Sequence, residues 1–166
     1  MSDHITNVLV LCTGNSARSI MSEALINVLG AGKFRAYSAG SQPTGRVNPF
    51  AAEQAANIGY SMSDVRSKSW DEFSQPDSPK MDIVITVCDS AAGESCPLWR
   101  GTPLKIHWGF ADPSNASGDD AAKRAAFAET FGLIRQKIEK LVSLPIADLD
   151  QMQLKAKLDQ IGAGEA

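Results

Sequence analysis

The chain reads as a single three-layer α/β domain, a four-stranded parallel sheet of strand order 2-1-3-4 with helices on both faces. Three observations predict it. Short runs such as Val8-Leu9-Val10-Leu11 and Ile83-Val84-Ile85 are apolar at successive positions, as strands buried on both faces are. These runs alternate with segments whose apolar residues recur at helical spacing. At 166 residues the chain has the size of one domain that can bury a real core. The strand order is the leading arrangement for a short α/β chain, and it puts ligands beyond the carboxyl ends of strands one and three.

Taken in order, residues 7–11 form the first strand. Residues 17–29 follow as a helix, because Ile20, Met21, Ala24, Leu25, Val28 and Leu29 share a face, and Gly30 can cap its end. Residues 34–38 are the second strand, ending in Ala39-Gly40, and residues 42–47 are a loop rich in turn formers. Asn48-Pro49 starts a second helix, the cap followed by proline in the first turn, which Ala51, Ala52, Ala55, Ala56 and Ile58 carry to Gly59. Residues 61–79 are less regular, with a short helix at 69–73. Residues 81–87 are the third strand, 88–101 a loop, and 104–108 a short fourth strand. After a loop over 109–118, Asp119 or Asp120 caps a long helix with Phe127, Phe131, Ile134, Ile138 and Leu141 on one face. A helix of mixed polarity over 148–161 follows Pro145. The expected organisation is a catalytic domain over 1–145 and a C-terminal helical extension over 146–166, which could serve as a lid, a dimer contact or a docked helix.

Composition excludes several classes of function. A net charge of −3 with 21% charged and 43% hydrophobic residues describes an ordinary globular protein without a footprint for nucleic acid or an anionic membrane. No apolar run approaches membrane-spanning length, and residues 1–7 are polar without a signal-peptide pattern, so a cytoplasmic monomer is the expectation. Three cysteines, an odd count in a reducing compartment, argue against a structural disulfide framework and suit a nucleophile plus a resolving pair. A zinc site with His107 as fourth ligand would be chemically conceivable, but the spacings match no zinc pattern and no metal is expected.

The chemistry is concentrated where the first strand meets the first helix, in Cys12-Thr13-Gly14-Asn15-Ser16-Ala17-Arg18-Ser19. A strand delivers Cys12 to its carboxyl end. The amides of the loop and the positive end of the next helix then form a nest for a tetrahedral oxyanion, built from residues 13–19. The same field favours thiolate over thiol at Cys12, and Ser19 can donate a further hydrogen bond to the sulfur. The planar fork of Arg18 can hold two oxyanion oxygens. Gly14 allows close backbone approach, and Asn15 tolerates a left-handed conformation. Neither Gly-Lys-Ser/Thr nor Gly-x-Gly-x-x-Gly is present, so nucleotide-binding loops are excluded. Cys88 follows strand three, the expected neighbour of strand one, so two thiols should converge on one site. Asp112 precedes Pro113 just after strand four, on the same edge, where it can act as a general acid or cap a turn. His107 lies within a strand and reads as structural packing, as do Trp70, Trp99 and Trp108.

The segments VLVLCTGNSARSIMSE (8–23), YSAG (37–40), DIVITVCDSAAGESCP (82–97) and HWGFADP (107–113) resemble the arsenate reductases built on the low-molecular-weight tyrosine phosphatase fold, a flavodoxin-like arrangement. The resemblance implies that Cys12 attacks arsenate held by the loop and Arg18, and that Asp112 protonates the departing oxygen. Cys88 then attacks Cys12 and releases arsenite, and Cys96 attacks Cys88 to leave a Cys88–Cys96 disulfide. An external thiol donor, thioredoxin or glutathione with glutaredoxin, reduces that pair, and no tightly bound cofactor is needed. The chemistry requires the loop between Cys88 and Cys96 to move. Phosphate and sulfate would mimic the substrate. Some relatives bind potassium beside the loop through an Asn, a Glu, a Ser and an Asp. Asn15, Glu23 and Ser38 match the first three, whereas the fourth falls near Arg66-Ser67-Lys68. Lys68 is therefore expected to replace the ion and pair with Glu23.

Two other functions use the same residues. A low-molecular-weight protein tyrosine phosphatase would employ Cys12, Arg18 and Asp112 identically, but it needs no Cys96, and Ser114-Asn115-Ala116 stands where tyrosines usually follow the Asp-Pro pair. A non-enzymatic thiol or oxyanion sensor would stop after one oxidation.

Overall fold

Strand β1 (Thr6–Leu11) is buried along almost its whole length, which puts it inside the sheet and not at an edge. The structure, a computed structural model, describes residues 5–60, 66–88 and 103–163. β1 leads into α1 (Arg18–Leu29), β2 (Phe34–Ala39) and α2 (Pro49–Asn57). A 3-10 turn (Trp70–Phe73) precedes β3 (Ile83–Thr86) and β4 (Leu104–His107). A second 3-10 turn (Pro113–Asn115) precedes α3 (Asp120–Val142), and a third (Ile146–Asp148) precedes α4 (Gln151–Gly162). The four strands are parallel in the order β2-β1-β3-β4, with Val8 opposite both Ala36 and Ile83. This is the expected topology, and it sets the carboxyl ends of β1 and β3 side by side.

Alternation along the strands divides the core. Val8, Val10, Ile83, Ile85 and Ile106 face one cluster with Met21, Leu25, Phe127, Ile134 and Ile138. Leu9, Leu11, Ala39 and Val84 face the other, closed by Phe73 and Met81 with Tyr37 and Trp70 packed against it. Among the described residues the α-helices lie on the first face. Phe73 and its aromatic neighbours cover the second face, and the short helix expected over 69–73 is there as a single 3-10 turn.

Local chemistry explains the element ends. Asn48 accepts from the Phe50 amide at 2.9 Å and Pro49 occupies the first turn of α2, as expected. Asp119 is the cap of α3 and accepts from the Ala122 amide at 2.9 Å. Gly30 has φ −101°, so it is not a left-handed cap. A Cβ there would lie 2.8 Å from Ile26 O and 2.9 Å from the Phe34 ring, so close approach is what requires glycine, and Gly32 (φ +87°) makes the left-handed turn. α4 starts later than its apolar pattern suggests, because Asp150 and Gln153 form a capping box.

α4 packs into the main core through Leu154, Leu158 and Ile161. Lys137 Nζ on α3 donates to Ile161 O at 2.9 Å and to Gly162 O at 2.8 Å, satisfying terminal carbonyls that the helix cannot satisfy itself. On the outer edge of the sheet, Asn27 of α1 donates from Nδ2 to Ala36 O at 3.0 Å, and its Oδ1 accepts from the Ala36 amide at 2.8 Å. Among the described residues no helix is long and apolar enough to cross a membrane.

Candidate active site

Cys12 continues directly from β1, its amide donating to Ala39 O at 3.2 Å. The chain then turns through the oxyanion loop, whose carbonyls are drawn outward by its neighbours. Thr13 O accepts from the Gln42 amide at 3.0 Å, Gly14 O from the Thr44 amide at 3.1 Å and from Ser67 Oγ at 2.9 Å, and Ser16 O from the Asn48 amide at 2.8 Å. In a planar trans peptide the following N–H points opposite to the carbonyl. The amides of Gly14, Asn15 and Ala17 are thereby turned inward, which is the nest the sequence anticipates. Asn15 has φ 47°, the expected left-handed residue. Its Nδ2 donates to Ser19 Oγ at 2.9 Å and its Oδ1 accepts from the Lys68 amide at 2.9 Å. α1 starts at Arg18 with no side-chain cap, leaving the positive end of the helix directed at the loop. Gly40 lies under this loop, where a Cβ would collide with Thr13 O and come 2.7 Å from Cys12 O.

Arg18 is held across the mouth of the nest. Its Nη1 donates to Phe110 O at 2.9 Å and its Nη2 lies 3.5 Å from Asp112 Oδ2. Its buried Nε has no hydrogen-bond partner among the described residues, so that donor can serve the anion. Asp112 caps a turn, one of the two roles weighed from sequence, and stands beside Arg18. Oδ1 accepts from the Ser114 amide at 2.9 Å and from Ser114 Oγ at 2.7 Å, capping the turn, while Oδ2 faces Arg18.

Cys12 and Cys88 are both buried and lie near enough to each other that their ionisations are linked. Thr13 seats Cys88, its amide donating to Cys88 Sγ at 3.3 Å and its Oγ1 lying 3.7 Å from the same sulfur. The loop field does not act on Cys12 alone: the adjoining Cys88 thiol and burial push the Cys12 thiol upward, against the downward pull of Arg18 and the Gly14 amide. Two thiols this close ionise as a pair. Ser19 engages Asn15, not the Cys12 sulfur. Cys96 and Trp99, with the rest of the loop expected to move beyond Cys88, lie outside the described residues.

Behind the loop, Glu23 is buried on α1. It accepts from Ser38 Oγ at 2.7 Å and from Tyr60 Oη at 2.5 Å, and Lys68 Nζ lies 3.8 Å from its Oε1. Lys68 Nζ also donates to Arg66 O at 3.0 Å. Burial pushes the Lys68 ammonium below the ordinary lysine value, opposed by Glu23. Lys68 thus stands beside Glu23, where the resemblance placed either a potassium ion or this lysine. A cavity of about 510 Å³ along the β2 edge reaches Glu23, Tyr60 and Lys68. Tyr60 carried no signal in the sequence, nor did Phe110, whose contribution is a backbone carbonyl. His107 is exposed, its Nδ1 2.7 Å from Thr86 Oγ1, which corrects its assignment to packing, whereas Trp108 is core.

Comparison with known proteins agrees with this geometry. The family model for the low molecular weight phosphotyrosine protein phosphatases matches residues 7–158. An arsenate reductase of Halalkalibacterium halodurans is 36% identical over 132 residues, covering 80% of this chain and 91% of that protein. One from Bacillus subtilis is 33% identical over 133 residues, covering 80% and 92%. The crystal structure of an arsenate reductase from Archaeoglobus fulgidus superposes with a TM-score of 0.60 at 28% identity, covering 82% of this chain and 99% of that one. With a match that runs from β1 into α4 and relatives that share a third of its residues, the chain belongs to the low molecular weight phosphotyrosine protein phosphatase family, where it groups with the arsenate reductases.

Proposed function

We propose that this chain reduces arsenate to arsenite through a thiol relay, with detoxification of arsenic as its role. The observation that carries the reading is the second thiol: Thr13 seats Cys88 against the nucleophile Cys12, inside a nest shaped for a tetrahedral oxyanion. A hydrolase needs no such neighbour.

Arsenate binds on the inward amides of the loop and the Arg18 fork, and its approach separates the sulfur pair. Cys12 attacks arsenic(V) as its proton passes to the bound arsenate, and a hydroxyl leaves as water, protonated by Asp112. Cys88 then gives its proton to an arsenic-bound oxygen and attacks the Cys12 sulfur. The sulfur–arsenic bond breaks, its electron pair stays on arsenic, and arsenite departs from a Cys12–Cys88 disulfide. Cys96 exchanges into that disulfide, which frees Cys12 and leaves Cys88–Cys96. Reduction of arsenate takes two electrons and one dithiol supplies two. A dithiol donor such as thioredoxin suits a terminal intramolecular disulfide, with glutathione and glutaredoxin as the competing donor. The resting thiols suit a reducing compartment such as the cytoplasm.

An anaerobic thiol count under acid quench tests this. Loss of two of the three thiols with arsenate, and none with phosphate, is expected. Unchanged thiols together with hydrolysis of an aryl phosphate would make the chain a phosphatase, and a single oxidation without turnover in excess reductant would make it a sensor.

A further inference from the structure

We infer that helix α4 is a positioning element of the oxyanion site, acting through the indole of Trp108 on the segment that orients Arg18. The connection is short and continuous. Trp108 is 2% exposed, and its Nε1 donates to Leu158 O at 3.0 Å. Gly162, one turn further along α4, lies flat against the same ring, where a Cβ would stand 2.7 Å from Cδ1 and 3.0 Å from Nε1. The Lys137 ammonium pins the carbonyls of Ile161 and Gly162, so the end of α4 cannot simply move away. On the other side of the ring, the Trp108 amide donates to Thr86 O at 2.8 Å and the Phe110 amide to Val87 O at 3.1 Å. The Phe110 carbonyl is the acceptor that fixes Arg18 Nη1, and Asp112 follows two residues later. Only the indole and two residues of backbone therefore separate α4 from the guanidinium that receives the anion.

A one-carbon change distinguishes this from general packing. In Gly162→Ala the new methyl must gain about 0.7 Å to reach ordinary contact at 3.4 Å, and the ring moves because the helix end is pinned. The control is Asp150→Ala, which removes the capping box at the opposite end of α4, about 18 Å away along the helix. Both variants lose thermal stability. Binding of inorganic phosphate by the reduced protein, measured by calorimetry, separates them. A weakened charge-assisted hydrogen bond from Arg18 loses part of the roughly 10- to 100-fold in affinity that such a bond is worth, so the phosphate Kd of Gly162→Ala is expected to rise about fivefold or more. That of Asp150→Ala should stay within about twofold, as surface changes remote from a site do. In a Trp108→Phe background the smaller ring makes room for the methyl, so adding Gly162→Ala should then have little further effect.

The inference rests on the oxyanion reading of the Cys12 loop but not on reduction, and phosphate binding needs no electron transfer, so it fails separately from the reductase proposal. Equal Kd values for Gly162→Ala and Asp150→Ala overturn it. So does an effect of Gly162→Ala that is undiminished in the Trp108→Phe background, or a wild type that binds no phosphate. If Gly162→Ala does not fold, Trp108→Phe alone decides: a Kd equal to that of the wild type overturns the inference.

Discussion

Replacing Lys68 by methionine removes the charge that faces the buried carboxylate of Glu23. The side chains of Lys68 and Glu23 are 7% and 4% exposed, with 3.8 Å between Nζ and Oε1. At an effective dielectric constant of about 20 that attraction is about 4 kcal/mol, and burial of the ammonium outweighs it, so the cost of the variant lies in the carboxylate left behind. In the variant, Ser38 and Tyr60 still donate to Glu23, so the carboxylate keeps its hydrogen bonds but loses its compensating charge. Breaking one side of a buried pair costs about 3–5 kcal/mol, and the two retained hydrogen bonds set the expectation at the low end, about 3 kcal/mol. For a domain of 166 residues this is a fall in Tm of about 6–12 °C. Thermal unfolding at neutral pH, with potassium chloride against choline chloride, is the assay. Potassium should restore part of the loss in the variant and leave the wild type unchanged. The pH dependence carries a second sign. Folded Lys68, held below the ordinary lysine value by burial, releases its proton before the unfolded chain does. Between the two values the unfolded state binds more protons, so this contribution to stability rises with pH up to about 10.4, and Lys68→Met lacks that rise. A variant within about 1 kcal/mol of the wild type, below the range for a broken buried pair, refutes the reasoning. A wild type that gains as much from potassium as the variant does also refutes it.

Three further outcomes are expected. In Cys88→Ala the main influence raising the Cys12 thiol is gone while Arg18 and the Gly14 amide remain, and each unit of fall in pKa multiplies the thiolate fraction by about ten. Alkylation of Cys12 by iodoacetamide at pH 7, followed by peptide mapping, should accelerate by about tenfold or more; an unchanged rate would show that Cys88 does not hold the proton. Arg18→Lys cannot bond to Phe110 O and still present a two-pronged donor, so phosphate affinity should drop about 10- to 100-fold, the value of one charge-assisted hydrogen bond. Asp112→Asn keeps the Ser114 cap and so the Tm, but should lower kcat for arsenate by about 10²- to 10⁴-fold; an unaltered kcat removes the acid.

The parts legible in the sequence are those that side-chain type encodes. Apolar runs and helical spacing gave the alternation of strands and helices, for which 2-1-3-4 is the leading sheet order in a short chain, Cys12 and Arg18 marked the anion loop, and Asn15 signalled its left-handed residue. The rest was illegible for identifiable reasons. Gln42, Thr44 and Asn48 hold the loop carbonyls with backbone amides, and Phe110 fixes Arg18 with a backbone carbonyl, groups that almost every residue possesses. Tyr60 follows an ordinary helix end at Gly59, and nothing local announces that its hydroxyl reaches Glu23. The protonation of Cys12 could not be read from its own loop, because it depends on a sulfur 76 positions away in the chain.

Asn27 gives the sheet a boundary made of chemistry. The outer rim of β2 offers Ala36 a free donor and a free acceptor, the pair to which another extended chain would bind, and a side-chain amide from α1 already fills both. The sheet thus ends in a decoy rung. Asn27→Leu would keep the bulk and erase the decoy, leaving β2 as an open template, and crowded solutions of that variant should stack rim to rim while the wild type stays dispersed.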